Sequence, residues 1–111
     1  MGSDDPAAQL NAIFDALANE KRRDMIHRLS YLPSTISKLA EPYGITLPSM
    51  HKHLAILENA NLIRRKKVGR SHIIALNKSA LGLAQKWIRR YQTYWGNDQE
   101  TLENYISSLS E

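Results

Sequence analysis

The sequence predicts a mainly α-helical domain, in which four helices are followed by a two-stranded β-hairpin and two C-terminal helices. Apolar residues recur at every third or fourth position over most of the chain, which is the period of amphipathic helices. Between residues 62 and 76 this period gives way to two short aliphatic runs, which predict strands. A length of 111 residues with 42% hydrophobic content suits one core. We therefore expect a disordered or tag-derived stretch at 1–6 and a single domain at 7–111.

Capping residues and apolar stripes delimit the first two helices. The first is expected over 7–18, with a stripe formed by Leu10, Ile13, Phe14 and Leu17. Asn19 is a suitable N-cap for the second helix, which must end before Pro33 because the residue before a proline disfavours helical geometry. Its stripe consists of Met25, Ile26 and Leu29.

The third helix is short, and the fourth follows it closely. Ser34 or Thr35 can cap the third helix, which ends before Pro42 and Gly44. Thr46 caps the fourth helix, which runs to about residue 59. Pro48 is tolerated in its first turn because the amide that proline lacks would have been unpaired there. The fourth helix is expected to bury Leu47, Met50, Leu54 and Leu57.

Two strands and two more helices complete the chain. Residues 62–67 and 71–76 predict the hairpin, with Gly69 supplying a positive φ at its tip. Helical periodicity then returns over 80–95 and again over 99–109.

The charge of the chain is concentrated in its middle. All fifteen basic residues lie between positions 21 and 90, together with only three acids, which gives this segment a net charge of +12. The two flanks together carry −8. Such a basic block between acidic ends favours a nucleic acid or another polyanion as partner.

The order of elements specifies where this partner would bind. A short helix, a tight turn at Gly44, a second helix and then a basic hairpin form the layout of a winged helix-turn-helix. The outer face of the fourth helix could enter a major groove, and the hairpin carries five cations in the seven residues 64–70. The candidate DNA-binding residues are Thr46, Leu47, Pro48, Ser49, His51, Lys52, His53, Lys67 and Arg70. His53 could equally form a hydrogen bond within the domain.

At these residues the chain resembles the ArsR/SmtB family of bacterial winged-helix repressors. The resemblance rests on four segments in order, at 16–23, 35–40, 47–57 and 68–70. Residues 87–95 also look like the dimer helix of a cysteine-free branch with an extra C-terminal helix. The resemblance implies a homodimer that binds an inverted repeat in double-stranded DNA and blocks transcription.

This chain departs from the family pattern in two respects. Leu47 stands where a polar residue is usual and His51 where serine is frequent, so base preference should differ from that of relatives. The paired cysteines or Asp/His pairs of metal-sensing members are missing. His51 and His53 point about 200° apart on a helix, and we expect no metal or other cofactor.

The predicted dimer surface lies on the first helix and on the C-terminal segment 79–109. Two apolar faces on the helix at 80–95 exceed what a core helix needs, which indicates a partner. The candidate interface residues are Leu10, Phe14, Leu17, Leu81, Ala84, Trp87, Ile88, Tyr91 and Trp95. The alternatives are that the last helix folds back over this excess, or that the aromatic residues bind a small apolar effector.

Several function classes are excluded or left as rivals. Without cysteine there is no disulfide, thiolate metal site or thiol nucleophile, and no motif of an enzyme active site occurs. The sequence predicts no signal peptide or transmembrane segment, hence a cytoplasmic protein. A winged-helix module that binds only protein is the remaining rival. For Arg22 and Arg23 the sequence leaves open a phosphate contact or a salt bridge with Glu20.

Overall fold

The computed structural model describes residues 5–91 and 97–110, and it has the mainly α-helical architecture that the sequence predicts. The elements in chain order are α1 (Pro6–Leu17), α2 (Glu20–Leu29), β1 (Ser34–Thr35), α3 (Ile36–Ala40), a 3-10 helix (Glu41–Tyr43), α4 (Leu47–Asn59), β2 (Ile63–Val68), β3 (Ser71–Leu76), α5 (Lys78–Arg89) and α6 (Asp98–Leu109). None of these helices is long and apolar enough to cross a membrane.

Local capping fixes the starts of α2 and α4 as the sequence predicts. The side chain of Asn19 accepts a hydrogen bond from the backbone N–H of Arg22 at 3.1 Å, and the Thr46 hydroxyl accepts one from Ser49 at 3.2 Å. At the start of α1 the Asp5 carboxylate accepts from the backbone of Ala7 at 3.1 Å. Because each cap satisfies an otherwise unpaired helix N–H, these polar residues determine where the helices begin.

The hairpin belongs to a sheet of three antiparallel strands, in the order β1, β3, β2. Strands β2 and β3 pair from Ile63 with Leu76 to Val68 with Ser71, and Gly69 turns between them with a φ of 62°. The two-residue strand β1, which the sequence analysis did not predict, places Ser34 opposite Ile74. It ties the start of α3 to the hairpin and so joins the helix-turn-helix to the wing.

The core lies between the helices and the inner face of the sheet. Its largest fully buried side chains are Ile13, Met25, Leu39, Met50, Leu54, Leu57, Leu62 and Ile74. The prediction that Leu47 joins them is wrong, since this side chain is 59% exposed. Leu47 is the first residue of α4, and helix side chains lean toward the N-terminus, so it points past the end of the core.

The two C-terminal helices depart from their predicted bounds. Helix α5 ends at Arg89 instead of continuing to residue 95, because its last turn closes with hydrogen bonds from Arg90 to Trp87 and from Tyr91 to Ile88. Trp95, predicted at the dimer surface, lies outside the described residues. Helix α6 begins one residue early, at Asp98, since residues 97 and 100 form a capping box.

Candidate nucleic-acid interface

Helices α3 and α4 form a helix-turn-helix, and the buried side chains of the second helix anchor it in the core. The 3-10 helix after α3 ends at Gly44, which adopts a left-handed φ of 59° that glycine accepts without strain. Met50, Leu54 and Leu57 then hold α4 in the core with no exposed surface. The opposite face of α4 is therefore free to face a ligand.

Five of the predicted residues at and near the start of α4 are exposed. Thr46, Leu47, Pro48, His51 and Lys52 are exposed, whereas Ser49 and His53 are half-buried. The exposed set combines an apolar side chain, a cation and an imidazole over the first two turns of the helix. These groups match the methyl groups and acceptor atoms that bases present in a major groove.

His53 is engaged within the domain. Its Nδ1 lies 3.3 Å from the guanidinium of Arg22, so this nitrogen faces a cationic donor. Partial burial, followed by the nearby charges of Arg22 and Lys21, lowers the pKa of His53 below its ordinary value of 6.5. A neutral ring that accepts from Arg22 links α4 to α2.

Two of the three arginines of α2, Arg22 and Arg23, bind the C-terminal end of α1. Arg22 donates from Nε to the carbonyl of Ala16 at 2.7 Å and from Nη2 to the carbonyl of Asp15 at 3.1 Å. Arg23 donates to the carbonyl of Leu17 at 2.8 Å. Cations are favourable at this end of a helix dipole, where carbonyls lack intrahelical partners. This arrangement is neither of the two roles that the sequence analysis left open for these residues.

The wing presents most of its cations to solvent. Four of them are exposed: Arg64, Lys66, Lys67 and Arg70. Arg64 lies near the base of β2, and the other three lie toward the tip at Gly69. Lys67 pairs in register with His72, next to the turn, so this cation and Arg70 stand at the outer end of the hairpin. The position suits contacts with phosphates or a minor groove.

Arg65 is the exception in the wing, because it is half-buried and forms a salt bridge with Glu58 in the last turn of α4. This pair joins the base of the wing to α4 and so restricts their relative orientation. Sequence reasoning missed it. A signal was present, since Glu58 is one of only three acids in the basic segment.

The predicted dimer residues divide into buried and exposed groups. Ala84 is buried in the chain's own core and is only 6% exposed. Four residues on α1 and α5 are half-buried: Leu10, Phe14, Leu17 and Leu81. Phe14 meets Trp87 edge-on, with ring centroids 5.4 Å apart.

Beyond this contact, the end of α5 and the turn that follows it leave a large apolar surface uncovered. Trp87 is 40% exposed, Ile88 56% and Tyr91 67%. Trp87 and Tyr91 lie against each other, with ring centroids 4.8 Å apart. Within residues 5–91 and 97–110, no group of three or more potential metal ligands occurs.

Comparison with known proteins agrees with this geometry. A family described as "Helix-turn-helix domain" matches residues 17–66, the segment that contains α2 to most of β2. The transcriptional repressor SdpR of Bacillus subtilis (strain 168) is 28% identical over 80% of this chain and 99% of its own length. The HTH-type transcriptional regulator YuzN of the same strain is 33% identical over 70% of this chain and 94% of its own.

Similarity to solved structures identifies the family to which the chain belongs. The crystal structure of the ArsR family transcriptional regulator RHA00566 is 41% identical, with a TM-score of 0.74 over 78% of this chain and 96% of that chain. An ArsR-like transcriptional regulator from Rhodococcus sp. RHA1 shares the fold at 22% identity, with a TM-score of 0.66 over 93% of this chain and 91% of its own. These relatives are regulators and not enzymes. The chain therefore belongs to the ArsR family and is a DNA-binding transcriptional regulator with a winged helix-turn-helix.

Proposed function

We propose that the chain is a homodimeric repressor that binds an inverted-repeat operator in double-stranded DNA. The proposal rests on the exposed, partly cationic face of α4 and on the four exposed cations of the wing beside it. A bacterial regulator of this kind works in the cytoplasm, where it has access to the chromosome. The proposal includes no metal, cofactor or small-molecule effector.

In this proposal α4 contacts base edges and the wing contacts the backbone. Lys52 and His51 donate to acceptor atoms such as guanine O6 and N7, while Leu47 lies against a thymine methyl. Residues near the start of the helix, Thr46, Pro48 and Ser49, allow its backbone to approach the groove. Lys67 and Arg70 hold the wing on phosphates or in the minor groove. His53 contributes by positioning α4 through Arg22.

The dimer is proposed to form through α1 and α5, with α6 adding to the interface. Phe14 packs against Trp87 within the uncovered surface formed with Ile88 and Tyr91. The other half-buried residues of α1 and α5 are Leu10, Leu17 and Leu81. Ala84 serves the core of its own chain. A twofold axis would place the two α4 helices about 34 Å apart, in successive major grooves on one side of the DNA.

Binding of the full chain to DNA from upstream of its own gene tests the proposal. Fluorescence anisotropy at several salt concentrations should show that the chain binds this DNA more tightly than it binds a random duplex. Neutralisation of about six to ten phosphates would make its affinity fall steeply with salt. A module that binds only protein gives no sequence-dependent, salt-sensitive complex, and that result would refute the proposal.

A further inference from the structure

Helix α6 is amphipathic, acidic and uncovered. Its apolar stripe repeats at i, i+3, i+4 and i+7, and the four side chains are between 55% and 66% exposed: Leu102, Tyr105, Ile106 and Leu109. The helix also carries three acids and no base. Among its twelve residues only Thr101 is even half-buried. An apolar face of this size on a twelve-residue helix is typical of a segment that packs against a partner.

A groove with the opposite charge lies elsewhere on the same chain. It has a volume of about 410 Å³ and runs between the start of α1 and the second half of α5. Leu10, Leu83 and Trp87 line it with apolar surface, and Lys86 and Arg90 add two cations. Leu83 and Trp87 are each 40% exposed, so this groove is open in the single chain.

We propose that the groove of each chain binds α6 of a second copy. The apolar stripe of α6 fits the apolar lining, and its acids fit the cations of the groove, which is how an amphipathic helix is bound in a groove. The groove shares Trp87 with the uncovered surface formed with Ile88 and Tyr91, so the two surfaces are continuous. Each chain offers one helix and one groove, so a twofold dimer forms the contact twice. This inference rests on the proposed homodimer and adds the exchange of α6 between subunits.

A charge exchange between two variants distinguishes this arrangement from packing within one chain. Lys86→Glu makes the groove more acidic, and Glu103→Lys reverses a charge beside the apolar stripe of α6. Each variant alone brings like charges together at both contacts of the dimer, so we expect about tenfold weaker dimerisation. An equimolar mixture can form a heterodimer of the two variants. In this heterodimer the native α6 of the Lys86→Glu chain binds the native groove of the Glu103→Lys chain. The substituted α6 of the Glu103→Lys chain binds the acidic groove of the Lys86→Glu chain. The mixture should therefore dimerise almost as well as the native chain.

Sedimentation velocity of the full chain over a concentration series measures these constants. Lys78→Glu is the matched control, since Lys78 is exposed at the other end of α5 and its substitution makes the same charge change. The Lys78→Glu variant should dimerise as tightly as the native chain, and mixing it with Glu103→Lys should not strengthen its dimerisation.

The outcomes separate the two proposals. A native dimer whose variants do not recover on mixing overturns the exchange of α6 and leaves the homodimer intact. Variants that dimerise like the native chain overturn the exchange as well. A native chain that remains monomeric at every concentration overturns both.

Discussion

Helices α4 and α5 have nearly equal lengths, but they distribute their apolar side chains differently. Helix α4 buries Met50, Leu54 and Leu57 completely in the core of its own chain, and its outer face carries polar and cationic groups as well as the exposed Leu47. Helix α5 buries only Ala80 and Ala84. Trp87 and Ile88 on α5, Tyr91 just after its end and the apolar stripe of α6 are all exposed.

A single chain holds its helix-turn-helix and wing in place but leaves its C-terminal apolar surface uncovered. The helix-turn-helix and wing are fixed by the core, by strand β1 and by the Arg65–Glu58 salt bridge, so one chain can present them in a defined orientation. The C-terminal surface lacks such cover. Uncovered aromatic and aliphatic side chains in one patch are typical of a protein–protein interface, whereas exposed cations are typical of a nucleic-acid interface.

The largest effect is expected where the C-terminal surface is disrupted. Ile88→Glu adds a charge to a side chain that is already exposed in the monomer, so the fold should persist while the dimer is lost. Because two linked half-site contacts are replaced by one, specific DNA affinity should fall by about 100-fold or more. Sedimentation and anisotropy measure the two effects on the same samples.

Ser79→Glu provides the control for this substitution. Ser79 is exposed in the first turn of α5, on the opposite side from Ile88, and an acid there is favourable to the helix. It should leave both measurements unchanged. A dimer that survives Ile88→Glu would contradict the interpretation of this surface.

The next largest effect concerns base recognition. Lys52→Ala removes a donor from the exposed face of α4, and specific binding should weaken by about 1–3 kcal/mol with relaxed sequence preference. Binding to a random duplex should change less. Equal losses on specific and random DNA would show that Lys52 contacts only the backbone.

A smaller and uniform effect is expected in the wing. Lys67→Ala removes one exposed cation near the hairpin tip, so binding to every sequence should weaken by a similar factor. The slope of log affinity against log salt should decrease by about 1. A loss restricted to the specific site would place Lys67 among the base-reading residues instead.

The smallest effect is a pH dependence of stability from His53. Burial first, and then Arg22 and Lys21, lower the pKa of this imidazole in the folded chain. Below about pH 6.5 the unfolded chain binds a proton that the folded chain resists, so stability is full above that pH and is lost as pH falls through the folded pKa. His53→Gln should reduce the fall in melting temperature between pH 8 and pH 5.

His51→Gln is the comparison for this measurement, since His51 is exposed two residues earlier on the same helix. It should retain the native pH dependence. A His53 variant that retains it as well would show that His53 does not contribute to the pH dependence of stability.

Features determined by local sequence were predictable. Asn19 and Thr46 cap helices with bonds to residues three positions away, and Gly69 turns the hairpin because its φ is positive. The exposed face of α4 followed from helical periodicity around Met50 and Leu54. The candidate DNA surface could thus be located from the sequence.

Features determined by distant contacts were not predictable. Strand β1 has only two residues, and it exists because Ser34 pairs with Ile74, forty positions later. The role of Arg22 depends on where the end of α1 and His53 come to lie. Burial of Leu47 failed as a prediction because periodicity gives a direction around the helix but not the edge of the core.

Nuclease footprinting of the full chain on the DNA upstream of its gene, combined with titration of the number of chains bound, tests directly whether the chain is a homodimeric repressor. Such a dimer should protect one inverted repeat, with half-sites centred about 10 base pairs apart and two chains per site. Absence of a protected site, or saturation at one chain per duplex, would rule out a homodimeric repressor.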